Sequence, residues 1–294
     1  MGDETLNKEE LSALVAQILR GMDAPAVAEQ PKEPEMERVA ADVSNMDLRK
    51  LYMVRDAADG ERFRKMKLRT PARLGSGRAG PRYKTLTMLR FRADPAAAQD
   101  AVFSQVPEDF AEKNGLVPVK TRCEDKDQYL TRPDLGRRFD EENTAKIRAA
   151  VSGTPRVQIV VGDGLSSAAI TANAMDCLAA IRDGLKLKGL ETGPALFVRY
   201  CRVGAGDAVG DITGCELVCV LVGERPGLVT DKSMSAYITY KPHTGVSESA
   251  RTVISNIHAQ GTPAVEAGAA VAELVDTILK RKVSGVNLLA EAGA

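Results

Sequence analysis

At 294 residues with 44% hydrophobic content the chain can fill one large core or two ordinary ones, and its 40 basic residues cancel its 40 acidic ones. That balance gives no bulk attraction to nucleic acid or an acidic membrane. No apolar run reaches the ~20 residues of a membrane span, and the N-terminus lacks the basic-then-apolar order of a secretory signal. Five cysteines without paired short spacings read as reduced thiols of a cytoplasmic protein, and with only two histidines beside them no metal site is expected.

Leu11, Leu14, Val15, Ile18, Leu19 and Met22 fall at helical spacing behind a capping-box pair, Asn7 and Glu10, so residues 1–22 read as an amphipathic helix. Residues 23–45 are rich in Ala, Pro and Glu without apolar period and read as a flexible linker. A tethered helix of about 15 residues is marginal in water, and burying its stripe on another protein would stabilise it. Residues 46–114 carry helical patterns broken by Gly75-Ser-Gly77-Arg78-Ala-Gly80-Pro81-Arg82, which predicts a small helical domain. Arg73, Arg78, Arg82, Arg90 and Arg92 make it locally basic and fit a solvated face or contact with an acidic subunit, the solvated face being favoured.

From residue 115 to 290 strands alternate with helices, which predicts a mostly parallel sheet. Val157 to Ala169, VQIVVGDGLSSAA, is a continuous β-branched run that empties into Gly162-Asp163-Gly164, where glycine allows backbone angles that other residues avoid, and Ser166 or Ser167 can then cap a helix. Leu217 to Leu228, LVCVLVGERPGL, repeats the plan. Two such turns at the carboxyl ends of parallel strands point to one shared binding rim. Cys215 and Cys219 are expected on one face of the second strand.

Gly162, Gly164 and Ser167 nearly spell a dinucleotide fingerprint, but no carboxylate follows the strand ending at Cys201, and Asp163 brings negative charge to a turn that would hold anions. Neither turn runs into G-K-[ST], so a P-loop is excluded as well. His243 and His258 are not near a serine or cysteine in a nucleophile motif and read as structural histidines, so no catalytic residue is assigned. Arg132, Arg137 and Arg138 cluster with Asp134 in YLTRPDLGRR; arginine forks suit carboxylate or phosphate, and here a tie between the two domains is favoured over a ligand tail. Arg199 and Arg202 stand at the end of a strand beside the rim.

TRPDLGRR, VVGDGLSS, FVRY-x-RV, LVGERPGL and SNIH-x-x-GTP-x-VEA, in this order, resemble the small-subunit family of adenosylcobalamin-dependent ethanolamine ammonia-lyase, from about Ala79 to Asn287. The resemblance implies an α/β fold in which a Rossmann-like, mostly parallel sheet domain follows a small helical domain and the tethered N-terminal amphipathic helix. It implies a lyase acting as a hetero-oligomer: a large TIM-barrel subunit holds ethanolamine, and this chain supplies part of the adenosylcobalamin wall. The products are acetaldehyde and ammonia, formed by radical chemistry that belongs to the cofactor. Family cobalamin contacts carry over to Val203 and Glu224. A third, a cysteine before ISNIH, is replaced by Val253, which offers packing but no thiol. Arg202, Gly162 and Gly164 join them from the reading of the rim. His243, in Lys241-Pro-His-Thr-Gly, lacks the Asp of D-x-H-x-x-G, so the cofactor is expected to keep its own benzimidazole as lower ligand. The N-terminal helix resembles peptides that carry enzymes into bacterial microcompartments, implying association with shell or cargo through residues 7–22. The rival reading is a stand-alone nucleotide-binding or regulatory α/β module.

Overall fold

The computed structural model describes residues 46–47, 49–70 and 72–288, and these belong to one compact unit. The helix expected over residues 1–22 and the linker over 23–45 lie outside the described residues. Asp59 accepts the Arg62 N–H and opens α1 (Gly60–Lys67). The Gly-rich break folds as a short hairpin of β1 (Arg78–Ala79) and β2 (Arg82–Tyr83), followed by α2 (Thr85–Phe103) and the single turn α3 (Phe110–Lys113). Arg73 and Arg90 both pair with the buried carboxylate of Asp94 in α2. These two arginines therefore do not belong to a solvated face, because a buried carboxylate requires cationic or hydrogen-bonding partners.

Six strands form the main sheet: β3 (Val117–Lys120), β4 (Val157–Asp163), β5 (Leu196–Arg199), β6 (Leu217–Gly223), β7 (Met234–Tyr240) and β8 (Arg251–Ile257), in the order β3-β5-β4-β6-β7-β8. The first four are parallel, while β7 and β8 continue the sheet antiparallel. The fold is thus mixed α/β with a mostly parallel sheet. β4 and β6 are buried at every position, which is why their sequences run apolar without alternation.

The helices are α4 (Lys126–Thr131), α5 (Glu141–Ala150), α6 (Ser167–Leu187), α7 (Ala205–Thr213) and α8 (Ala264–Arg281). Alternate residues of the strands feed two cores. Ile159, Val161 and Leu221 meet Ile181 of α6 and Val275 of α8 on one face. Val160, Val198 and Val220 meet Ile147 of α5 and Val209 of α7 on the other. The helical segment is joined to the sheet by Phe110, whose ring lies 5.6 Å from that of Phe197. All five cysteines are buried and free. Burial raises the Cys177 thiol to about 12 and pushes Cys201 and Cys219 higher. Cys215 and Cys219 do not share a face: Cys215 lies ahead of β6 and joins the second core, whereas Cys219 joins the first.

Candidate functional site at the strand ends

The first turn is closed by the chain's own atoms. Asp163, buried at the tip of β4, lies 2.6 Å from Ser167 Oγ, accepts the Val106 N–H at 3.2 Å and faces Arg199 at 3.5 Å. Ser166 accepts the Ala169 N–H and caps α6. Tyr200, with φ of 58°, turns the exit of β5 back over β4, and the Cys201 N–H reaches the Asp163 carbonyl at 2.8 Å. A Cβ on Gly162 would stand 2.6 Å from Cys201 Sγ, and one on Gly164 would stand 2.6 Å from Val222 Cγ2 and 3.4 Å from Tyr129 Oη. Neither glycine has positive φ. The unusual backbone angles expected of this turn are absent, and the space above both positions is filled by Cys201, Val222 and Tyr129.

Arg202 is drawn into the same closure. Its Nη2 donates to the Tyr129 carbonyl at 2.7 Å, its guanidinium lies 4.2 Å from the Tyr129 ring centre, and its Nε is buried without a partner. Lys126 donates to the Gly164 carbonyl at 2.9 Å, and burial lowers its ammonium group while Asp163 opposes the shift. Tyr129 stacks on Tyr200 and donates its hydroxyl, raised by burial, to the Cys201 carbonyl at 3.1 Å. In TRPDLGRR, Arg132 forks onto Asp134 at 3.0 and 2.9 Å on the surface, while the Arg137 side chain packs over Gly204. The segment thus ties α4 to the exit of β5; the connection between two domains expected of it is instead made within the sheet region.

The second turn is closed only at its first glycine: a Cβ on Gly223 would run into the Ser166 carbonyl, whereas nothing lies within 4 Å of one on Gly227. Glu224 follows Gly223 in phase with Val220 and Val222, which puts it on the α7 face of the sheet. Its half-buried carboxylate accepts the Ser233 hydroxyl at 2.6 Å, the Ser235 hydroxyl, and the Asn256 N–H at 3.2 Å. Val203, at the start of α7, packs partly against the same face. Val253 pairs with Tyr237 across β7 and β8 and is 43% exposed. Burial first, and Glu224 second, raises the Tyr237 hydroxyl. Val203, Glu224 and Val253 therefore share one face, on the side of the sheet away from α6 and α8. Leu228 and Val229, in the loop after Glu224, are exposed, and Arg73 donates to the Leu228 carbonyl at 3.0 Å.

Reading strand by strand overlooks Ser233, Ser235 and Asn256. The available signal was the alternation in Met234 to Tyr240, with Ser235 and Tyr237 on one side. Also overlooked is the pair that fixes α7 to β8: Arg251 meets both Asp207 oxygens, at 2.7 and 2.8 Å, in a buried fork. Asp207 and Glu248 hold the Arg251 guanidinium above its ordinary value. His243 is exposed and His258 is buried and braced by hydrogen bonds. Among the described residues no group of acidic, histidine or cysteine side chains is arranged to hold a metal ion, and no helix is long and apolar enough to cross a membrane.

This is a mixed α/β protein with its candidate ligand-gripping groups beside the carboxyl ends of parallel strands, where open α/β sheets bind small molecules. Residues 60–289 match the family model described as ethanolamine ammonia-lyase light chain (EutC). The ethanolamine ammonia-lyase small subunit of Clostridium perfringens is 55% identical over 294 residues, covering 96% of this chain and all of that protein. Those of Clostridioides difficile and Fusobacterium nucleatum are 53% and 50% identical, over 96% and 95% of this chain and 100% and 98% of theirs. The chain belongs to the ethanolamine ammonia-lyase light-chain family. A lyase subunit, not a stand-alone nucleotide module, is the reading these relatives support.

Proposed function

We propose that this chain acts with a large TIM-barrel subunit in converting ethanolamine to acetaldehyde and ammonia, and that its open rim forms part of the adenosylcobalamin wall. The observation that carries the reading is Glu224: a carboxylate oriented by three donors at a strand end, on the same face of the sheet as the exposed Val253. The periphery of a corrin presents amide N–H donors and methyl groups, and the rim offers the complement of each. Glu224 would accept from an amide, and Val203 and Val253 would lie against methyls. When bound, the cofactor supplies a carbon radical from its cobalt–carbon bond. The residues of this chain bind and orient it and exclude water.

Gly162, Gly164 and Arg202 support that wall from behind, by fixing the exit of β5 that carries Val203. We read β4 to β6 with their crossover helices as a Rossmann-like core, residues 46–114 as a helical domain upon it, and residues 7–22 as a docking segment for a microcompartment shell or cargo in the cytoplasm. Ethanolamine-dependent acetaldehyde formation with adenosylcobalamin tests the proposal. Activity is expected when this chain is combined with its large subunit and not from either alone; activity of the large subunit alone, undiminished, would refute it.

A further inference from the structure

We infer that Asn256 is a positioning residue for Glu224, a step that rests on the cobalamin reading of that carboxylate. The pairing of β7 with β8 passes from Met234↔Ile257 to Ala236↔Ile254, so two residues advance on β7 while three advance on β8. β8 therefore carries one extra residue, a bulge at Ser255 and Asn256, and bulges re-aim the groups they displace. Asn256 takes up the turn with φ of 62°, a left-handed conformation that asparagine tolerates better than other residues with a Cβ. Its N–H leaves the strand ladder and points to Glu224 Oε1 at 3.2 Å.

The loop behind it prevents that N–H from turning away. Thr262 N–H donates to the Asn256 carbonyl at 3.0 Å, and His258 N–H donates to the Thr262 carbonyl at 3.1 Å. His258 Nδ1 accepts the Gln260 N–H at 3.2 Å, which leaves the ring proton on Nε2, 2.8 Å from Asn256 Oδ1. Gly261 completes the brace, since a Cβ there would run into the Asn256 carbonyl and come within 2.8 Å of His258 Nε2. The two serines that donate to Glu224 from the β7 side do so through rotatable hydroxyls. Of these three donors, the Asn256 N–H is the one whose direction the backbone fixes.

The test is the affinity of cyanocobalamin for the reconstituted complex of this chain with its large subunit, measured by equilibrium dialysis after assembly is verified by gel filtration. Glycine keeps both the left-handed backbone and the N–H, so Asn256→Gly should stay within about threefold of wild type, whereas Asn256→Val, which cannot hold that conformation, should weaken binding about tenfold. With Glu224→Ala already present, Asn256→Val should add less than about twofold, because its effect runs through that carboxylate. Should the valine variant fail to assemble, Asn256→Ala makes the same comparison with glycine. Equal losses for glycine and the larger residues, or a full loss without Glu224, would overturn the inference. An unchanged affinity for Glu224→Ala alone would instead overturn the cobalamin reading on which it stands.

Discussion

The chain contains two strand-turn units of the same design, and they end differently. After β4 the turn is packed shut: Gly162 and Gly164 admit Cys201, Val222 and Tyr129, and the Asp163 carboxylate is consumed by Ser167, Val106 and Arg199. After β6 only Gly223 is packed, against the Ser166 carbonyl, and the rest of the turn stays open, with a half-buried Glu224 held in place and Leu228 and Val229 exposed in the loop that follows. A glycine-rich turn at a strand end is therefore not by itself a ligand cradle. What separates the two is whether the neighbouring strand's exit folds over the turn, as Tyr200 and Cys201 do over β4.

Breaking the closed unit should cost the most stability. Asp163→Ala removes the buried partner of Arg199 and the acceptor of Val106, and should lower unfolding free energy by about 3 kcal/mol, read as a drop in the urea midpoint at constant slope. Gly162→Ala should cost about 2 kcal/mol by overpacking, and Cys201→Ala in the same chain should recover part of that loss. Strictly additive effects of the two would show that they do not share the space between β4 and β5.

In the open unit the balance reverses. Glu224→Gln should change stability by less than about 1 kcal/mol, yet weaken cyanocobalamin binding by the reconstituted complex about tenfold. A large stability loss with intact binding would make Glu224 a structural residue like Asp163. The smallest effect is expected from pH. Burial lowers His258 from its ordinary 6.5, with Glu224 partly opposing, so the folded chain prefers the neutral ring. Its stabilising contribution is complete above 6.5 and is lost as pH falls through the lower folded-state value. Melting temperature should thus fall more on acidification for wild type than for His258→Gln; parallel curves would exclude His258 as the cause.

Much of this was legible in the sequence for physical reasons that can be named. β4 and β6 announce themselves because strands buried on both faces carry β-branched residues without interruption, and Ser166 marks the start of α6 because a first-turn helix N–H, here buried, has no intrahelical acceptor and needs a side chain to supply one. The positions of Val203, Glu224 and Val253 follow from family motifs, while their placement on one face follows only from the phase of three different strands and their exits. β7 and β8 escaped notice because they are interrupted by Ser235, Thr239, Thr252 and Ser255, which dilute the apolar signal. The closure of the first turn was invisible for another reason. The atoms that fill it come from Cys201, nearly forty positions along the chain, and no spacing rule connects a glycine to the thiol that will lie against it. The same holds for Asp94, whose arginine partners look in sequence like any solvated basic face.

The burial of every cysteine has a practical consequence. Only the thiolate attacks an alkylating reagent, and here each thiol is both inaccessible and held far from ionising at neutral pH. Modification must then wait for a transient opening of the core, so the pace of alkylation in native buffer becomes a clock for breathing of the sheet. Because Cys177 and Cys219 lie in one core and Cys201 and Cys215 in the other, peptide-resolved labelling would time the two faces separately without introducing a single foreign reporter.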